Sequence, residues 1–294
     1  MKSSRNEKIF YAVNYTILII VGLICLLPLI YIISLSISDG DAVAAGKVGL
    51  WPVGVTTESY RYLLEGTRIV GAFKNSVAIT IVGVLLSMLF TILAAYPLSR
   101  VYFYYRRFFT LAIVFTMLFQ GGIIPTFLVV KNLGLINSFS AIWGVNLISV
   151  FNMLVLKTFF EGIPRELEEA ARMDGCSEIR LLRQIVLRLS IPALVTVGLF
   201  YGVGYWNVFM QMIMFINKTD KYNLTVLVQQ MIRSQQLIAE MLATNPGAAQ
   251  DVGAFTAEGI KSAGVIVLVA PMLIIYPFLQ RFFVKGVMIG AVKG

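Results

Sequence analysis

The sequence contains no histidine, which excludes imidazole acid–base catalysis, imidazole metal ligation and every histidine-containing triad. There are two cysteines, Cys25 in an apolar run and Cys176 in a charged loop. Two such distant thiols exclude a disulfide framework and read as structural. Charge is also scarce. Only 13% of the 294 residues are Asp, Glu, Lys or Arg, against about a quarter in soluble domains, so an ordinary water-facing surface is excluded. The phosphate-loop pattern is missing as well: Gly46-Lys47 is followed by Val48, and Asp41 occupies the place of the required first glycine. Any nucleotide chemistry must therefore reside on another chain.

What the chain has is apolar length. Hydrophobic residues make up 58% of it, and the mean hydropathy is +0.83. A spanning helix needs about 20 mostly apolar residues. Six stretches qualify, at 9–37, 71–98, 108–131, 136–160, 192–217 and 261–284. The first follows Lys2, Arg5 and Lys8 but is far longer than the apolar core of a signal peptide. The pattern predicts an all-α polytopic membrane protein with six transmembrane helices, forming a single transmembrane domain over 1–294.

The net charge of +9 and the pI near 9.6 do not indicate nucleic acid, because Lys and Arg sit between apolar runs rather than on one polar face. They report topology. With the N-terminus inside, the inner segments hold fourteen basic residues, including Arg100, Arg106, Arg107, Arg165, Arg172, Arg180, Arg183 and Arg188. The longer outer segments hold nine. The positive-inside rule thus predicts both termini in the cytoplasm. Among the outer loops, 218–260 contains an amphipathic stretch, Leu224–Ala243, lying outside or re-entering, and a turn signal at Asn245-Pro246-Gly247.

One inner loop, 161–191, carries a motif. Pro164 suits a helix's first turn, Glu166, Glu168 and Glu169 complement its N-terminal dipole, and Gly175 suits its end. Two short helices bent at Gly175 are expected. The second is amphipathic, with Leu181, Leu182, Ile185, Val186 and Leu189 at helical spacing and Arg180, Arg183 and Arg188 on other faces. Within this loop, Glu169-Ala170-Ala171, three residues, Gly175, nine residues and Ile185-Val186-Leu187 resemble the EAA loop of binding-protein-dependent ABC importer permeases. Arg188 stands where that family usually has proline, and Pro192 matches a second proline that commonly follows.

The resemblance extends over most of the chain, to carbohydrate-type permeases similar to the maltose importer's smaller membrane subunit. Phe159-Phe160, Ile163-Pro164, the turn Leu133-Gly134-Leu135-Ile136-Asn137, and Trp206-Asn207 with Phe209 carry it. The C-terminal run from Val284 to Gly294 is similar to the subgroup handling complex oligosaccharides, including alginate- and pectin-derived ones.

That resemblance implies a transport subunit rather than an enzyme, in the bacterial cytoplasmic (inner) membrane. Its implied partners are a second homologous permease, two ATPase subunits, an extracytoplasmic solute-binding protein, an oligosaccharide substrate and membrane lipid. The chain itself is expected to bind no cofactor and no metal, with ATP and Mg held by the ATPase. Loop 161–191 would be the cytoplasmic coupling loop. Ala170, Ala171 and Gly175 would permit close approach of the ATPase, and Glu168, Glu169 and Asp174 would offer it acceptors.

Polar side chains inside spans are costly and mark functional positions. Gln120, Asn146, Asn152, Asn207 and Gln211 are the notable ones, and Tyr205 and Trp206 lie beside the last two. Amides next to aromatic faces suit sugar recognition, so these seven residues are the candidate substrate path. The same groups also serve as interhelical hydrogen bonds and interface packing. Gly198, Gly202 and Gly204, with Gly121 and Gly122, suit packing more than gating. The run Tyr102 to Arg107 reads as an interfacial aromatic belt. Two alternatives stay open: an ABC permease for a non-sugar solute, and an ATP-independent carrier. The second needs ionisable groups inside the spans, where this sequence has almost none. An intramembrane enzyme would need a nucleophile and base or a metal cluster, which the residue set does not provide.

Overall fold

A computed structural model describes residues 5–119, 121–244 and 257–291, with side chains over 7–119, 121–234 and 258–277. Gln120 and the turn Asn245-Pro246-Gly247 lie outside the described residues. Those described form helices and connecting loops without a strand. In order they are α1 (Arg5–Ser36), α2 (Gly40–Ala44), α3 (Glu58–Gly66), α4 (Ile69–Ser99), α5 (Arg106–Leu118), α6 (Ile123–Asn132), α7 (Phe139–Val145), α8 (Val150–Glu161) and α9 (Arg165–Met173). There follow α10 (Glu178–Leu181), a π-helical turn (Leu182–Val186), α11 (Leu187–Leu189), α12 (Ile191–Trp206), α13 (Met210–Phe215), α14 (Leu224–Thr244) and α15 (Ala257–Ala291).

Three of the expected spans are single long helices, and three are broken. α1, α4 and the Glu258–Pro277 part of α15 are long and apolar enough to cross a membrane alone. Three bent pairs pass the same test only when each is taken together: α5 with α6 at 111°, α7 with α8 at 52°, and the Glu178–Leu189 segment with α12 at 84°. Three crossings, or up to six if each pair counts as one, follow from length and composition. The fifth expected span, 192–217, ends as a helix at Trp206 and resumes as α13.

By contacts the chain groups into two compact units. One comprises the described residues of Met1–Ile69 and Leu227–Ala270. Here the loop after α1 folds back on that helix's end. Ser34 Oγ donates to Leu50 O at 2.7 Å, Val53 N donates to Ser38 Oγ at 3.1 Å, and Ser36 shares a hydrogen bond with Tyr60 Oη at 3.0 Å. Leu35, Val43 and Val48 form a small apolar cluster beneath them.

The other unit comprises the described residues of Val70–Val226 and Pro271–Gly294. Its core joins α4, α7, α8, α12 and α13 through Ile79, Ala95, Ile142, Met153, Leu156, Phe160, Val197, Met212 and Phe215. Small residues set the approach of α12 to α4. Gly198 and Gly202, one turn apart, lie in ordinary contact with Met88 and Val84, at 3.9 and 3.8 Å from where a Cβ would stand. A Cβ on Gly83 would come within 2.7 Å of the Tyr205 ring, so only glycine fits there. These contacts are packing, as small residues in spans usually provide.

Backbone groups freed by helix breaks are costly in an apolar medium, and side chains take them up. At the α12–α13 break, Asn223 Nδ2 donates to Val208 O at 2.7 Å and Thr225 Oγ1 donates to Trp206 O at 3.0 Å. The turn before α7 is held similarly. Asn137, at φ 61, accepts from Asn217 N at 2.7 Å through Oδ1, and its carbonyl accepts from Lys221 Nζ at 2.6 Å.

Candidate functional site

Two regions of the second unit collect the residues singled out in the sequence. The first is loop 161–191. α9 starts after Pro164 with Glu166 and Glu168 in its first turn and Arg172 in its last, the charge order its dipole favours. It ends in a Schellman motif: Cys176 N donates to Ala171 O and Gly175 N to Arg172 O, both at 3.0 Å, with Gly175 at φ 74. A residue in that region pays a steric penalty unless it is glycine. The bend expected at Gly175 is therefore present.

α9 then presents two faces. Glu169, Ala170, Met173, Asp174 and Gly175 are exposed, Met173 at 88%. Glu168 and Ala171 are buried. The burial of Glu168 corrects the expectation that it offers an outward acceptor. Its carboxylate pairs with Arg100, just beyond the end of α4, and both side chains are less than a tenth exposed. Arg100 also stands 4.7 Å over the Tyr96 ring.

A second ion pair continues this contact. Arg172 Nη2 lies 2.6 Å from Glu178 Oε1, and Arg172 stacks 4.4 Å over the Tyr102 ring. Glu178 Oε2 accepts from Tyr96 Oη at 2.8 Å and from Tyr102 Oη at 2.9 Å. Burial pushes the Glu178 carboxyl upward, but the two tyrosine hydroxyls and the Arg172 and Arg100 charges outweigh it and hold the group below its ordinary value. Burial pushes Arg100 downward against the opposing pull of Tyr96, Tyr102 and Glu178. A cavity of about 540 Å³ lies between the segments, walled by Arg100, Tyr102, Arg106, Arg165, Glu169 and Arg172 among others.

The Tyr102–Arg107 run is thus more than an interfacial belt, because Tyr102 holds the loop. The expected amphipathic helix appears as α10, the π-helical turn and α11, with Leu181 and Val186 buried and Arg180, Arg183 and Arg188 exposed. Leu189 is exposed rather than inward. Arg188, in place of the usual proline, falls within α11, and Pro192 opens α12.

The second region is a cavity of about 680 Å³ where α7, α8, α12 and α13 are interrupted. Asn146, Asn152, Tyr205, Asn207 and Gln211 line it, with Phe151, Phe200 and Phe209. Five of the seven expected residues are therefore together, and no charged side chain joins them. Trp206 is elsewhere. It is buried against Phe73, ring centroids 6.0 Å apart and edge-to-face, because adjacent helical positions point about 100° apart. Two of the amides also serve the backbone: Asn146 Nδ2 donates to Ile142 O and Asn207 Nδ2 to Val203 O, each at 2.9 Å. Among the described residues, no group of three or more His, Cys, Asp or Glu converges as a metal site requires.

Comparison with known proteins places this geometry in context. Residues 85–289 match the family described as binding-protein-dependent transport system inner membrane component. The polygalacturonan/rhamnogalacturonan transport system permease protein YtcP of Bacillus subtilis (strain 168) is 39% identical over 98% of this chain and 100% of its own length. The arabinooligosaccharides transport system permease protein AraQ of Halalkalibacterium halodurans is 27% identical over 93% of each. A crystal structure of a bacterial ABC transporter involved in the import of the acidic polysaccharide alginate has a chain that superimposes with a TM-score of 0.85 and 32% identity. That match covers 96% of this chain and 99% of the other.

Proposed function

The chain belongs to the binding-protein-dependent transport system inner membrane component family, and we propose that it is one permease half of an ATP-driven oligosaccharide importer. It is a transport subunit, not an enzyme. The observation that carries the reading is the two-faced α9: one face locked to α4 through Arg100–Glu168, the other, with Glu169, Ala170, Met173, Asp174 and Gly175, left open. Such a helix transmits force, because a partner gripping its open face moves α4 and α12 with it.

The partner gripping it is a cytoplasmic ATPase carrying ATP and Mg. Two ATPase subunits, a second homologous permease and an extracytoplasmic solute-binding protein complete the importer. The chain sits in the bacterial cytoplasmic membrane with both termini inside. Loop 161–191 couples hydrolysis to alternating access of a central cavity, to which Asn146, Asn152, Asn207 and Gln211 contribute amide partners for sugar hydroxyls and Tyr205 part of the wall. The relatives' substrates, polygalacturonan/rhamnogalacturonan, arabinooligosaccharides and alginate, favour oligosaccharides over other solutes. An ion-coupled carrier is disfavoured because no acid or base lines the cavity.

The test is co-purification of tagged chain from its native membrane, compared with Ala170→Trp, which enlarges the open face without touching the Arg100 anchor. The native chain brings down an ATPase and a second permease, and the variant keeps the permease but loses the ATPase. Recovery of the native chain alone would overturn the importer reading.

A further inference from the structure

The break between α7 and α8, residues 146–149, forms one wall of the 680 Å³ cavity, and its freed backbone groups are held by side chains of two other helices. Ser149 N donates to Tyr201 Oη at 2.8 Å, and Tyr201 Oη lies 2.6 Å from Thr91 Oγ1. One turn along, Tyr205 Oη donates to Asn146 O at 3.1 Å and lies 2.8 Å from Ser87 Oγ, which itself reaches Asn146 O at 3.3 Å. Each rung therefore runs from α4 through an α12 tyrosine to the broken helix. Ser87 and Thr91 are fully buried, and Tyr201 and Tyr205 are no more than 5% exposed.

The spacing makes the ladder a unit. Positions 87 and 91 are four apart on α4, and 201 and 205 are four apart on α12, so both pairs project from one face of their helix. Tyr201 spends a lone pair on Ser149 N–H, which leaves its own proton for Thr91. Tyr205 gives its proton to Asn146 O and accepts from Ser87. Consecutive bonds of this kind polarise one another. The Tyr205 ring is seated against Gly83 too tightly for any side chain there, so the hydroxyl has no slack in position.

We propose that Tyr201 and Tyr205, backed by Thr91 and Ser87, are positioning residues of the transport cycle: they tie the Asn146–Ser149 break to α12, so that movement of α12 reshapes the cavity wall. This rests on the importer reading above. α8 leads into loop 161–191 and α12 follows it, so force delivered at the loop enters both helices at their loop ends, and these hydroxyls keep the Asn146–Ser149 break, at the far end of α8, in step with α12. Without the rungs, α12 would move while the wall lagged.

The test uses the assembled importer in lipid vesicles, with Cys25 and Cys176 replaced by serine and Ile148→Cys introduced in the break. Maleimide labelling of that thiol is timed with and without ATP and Mg. In the parent, ATP changes the labelling rate. Thr91→Val reduces that ATP-driven change by about fivefold, the factor that loss of one net hydrogen bond carries, the double Ser87→Ala/Thr91→Val reduces it further, and Thr91→Ser restores it. An undiminished change in assembled Thr91→Val and in the double variant overturns the proposal and leaves the importer reading intact. A reduced change that Thr91→Ser fails to restore also overturns it, since lost packing rather than the hydroxyl would be the cause. If the double variant does not assemble, Thr91→Val alone carries the comparison, because the Tyr205 rung remains. No ATP effect in the parent overturns the importer reading itself.

Discussion

Replacing Glu168 with glutamine tests the anchor of the coupling loop. The substitution keeps the side chain's shape and removes only its charge, leaving Arg100 at 5% exposure with no acidic partner of its own. Arg100 has little in reserve: its Nε and Nη2 are buried without a hydrogen-bond partner, and what remains is stacking on Tyr96 and the longer-range pull of Glu178. Breaking one side of a buried ion pair costs about 3–5 kcal/mol, and stacking of a desolvated guanidinium on tyrosine is worth about 2 kcal/mol or more. That interaction exists before and after the change, so it does not reduce the difference. At about 2–4 °C per kcal/mol for a chain of this size, the apparent unfolding midpoint in detergent falls by at least about 6 °C. Removing both charges, as Arg100→Met with Glu168→Leu, recovers most of the loss, because a well-packed apolar pair avoids desolvation altogether. A Glu168→Gln midpoint within 2 °C or so of native, on the same scale, would refute the buried pair.

Two further outcomes follow from the geometry. Glu178 is held below its ordinary value, so its contribution is fully present above the unfolded carboxylate value near 4.3 and is lost as pH falls through the lower folded value. The stability difference between native and Glu178→Gln proteins, from thermal scans across pH, should vanish at the acid end; a difference independent of pH would show that the carboxylate charge is not what Tyr96, Tyr102 and Arg172 hold. In transport assays on the assembled importer, Gln211→Ala should raise the substrate KM several-fold, as loss of one polar contact does. Trp206→Phe, which alters a residue outside the cavity, should leave KM unchanged, and the reverse pattern would reassign the cavity's lining.

How much of this was readable beforehand depends on what each feature needs from the sequence. α1, α4 and α15 are long apolar runs, and composition alone marks them. The three broken spans could not be told from continuous ones, because their breaks after Leu118, at 146–149 and at 207–209 lie inside stretches that remain apolar overall. Asn146 and Asn207 were visible as costly polar residues, and both turn out to end helices at such breaks. Their polarity therefore reports the break as much as a ligand. Trp206 was grouped with its neighbours by proximity in sequence, yet a step of one residue on a helix moves a side chain to a different face. Glu168 and Glu169 separate for the same reason: adjacent in one acidic run, they divide into an inward anchor and an outward group.

The loop's anchors show what single-sequence reading misses. Gly175 was legible because a positive φ leaves a residue signature. Tyr96, Arg100 and Tyr102 were not, because each looks sufficient as a membrane-interface residue, and only proximity to Glu168, Arg172 and Glu178 reveals the second duty. The distinction matters for function. Had α9 been held only by its flanking spans, a pull on its open face would be absorbed by the bend at Gly175. With Arg100–Glu168 on one side of that bend and Tyr96, Tyr102 and Glu178 on the other, both arms are fixed to the same end of α4. The bend is thereby converted from a hinge into a rigid elbow. A rigid elbow passes displacement on, and that is the property an ATP-driven permease requires of the helix its motor grips.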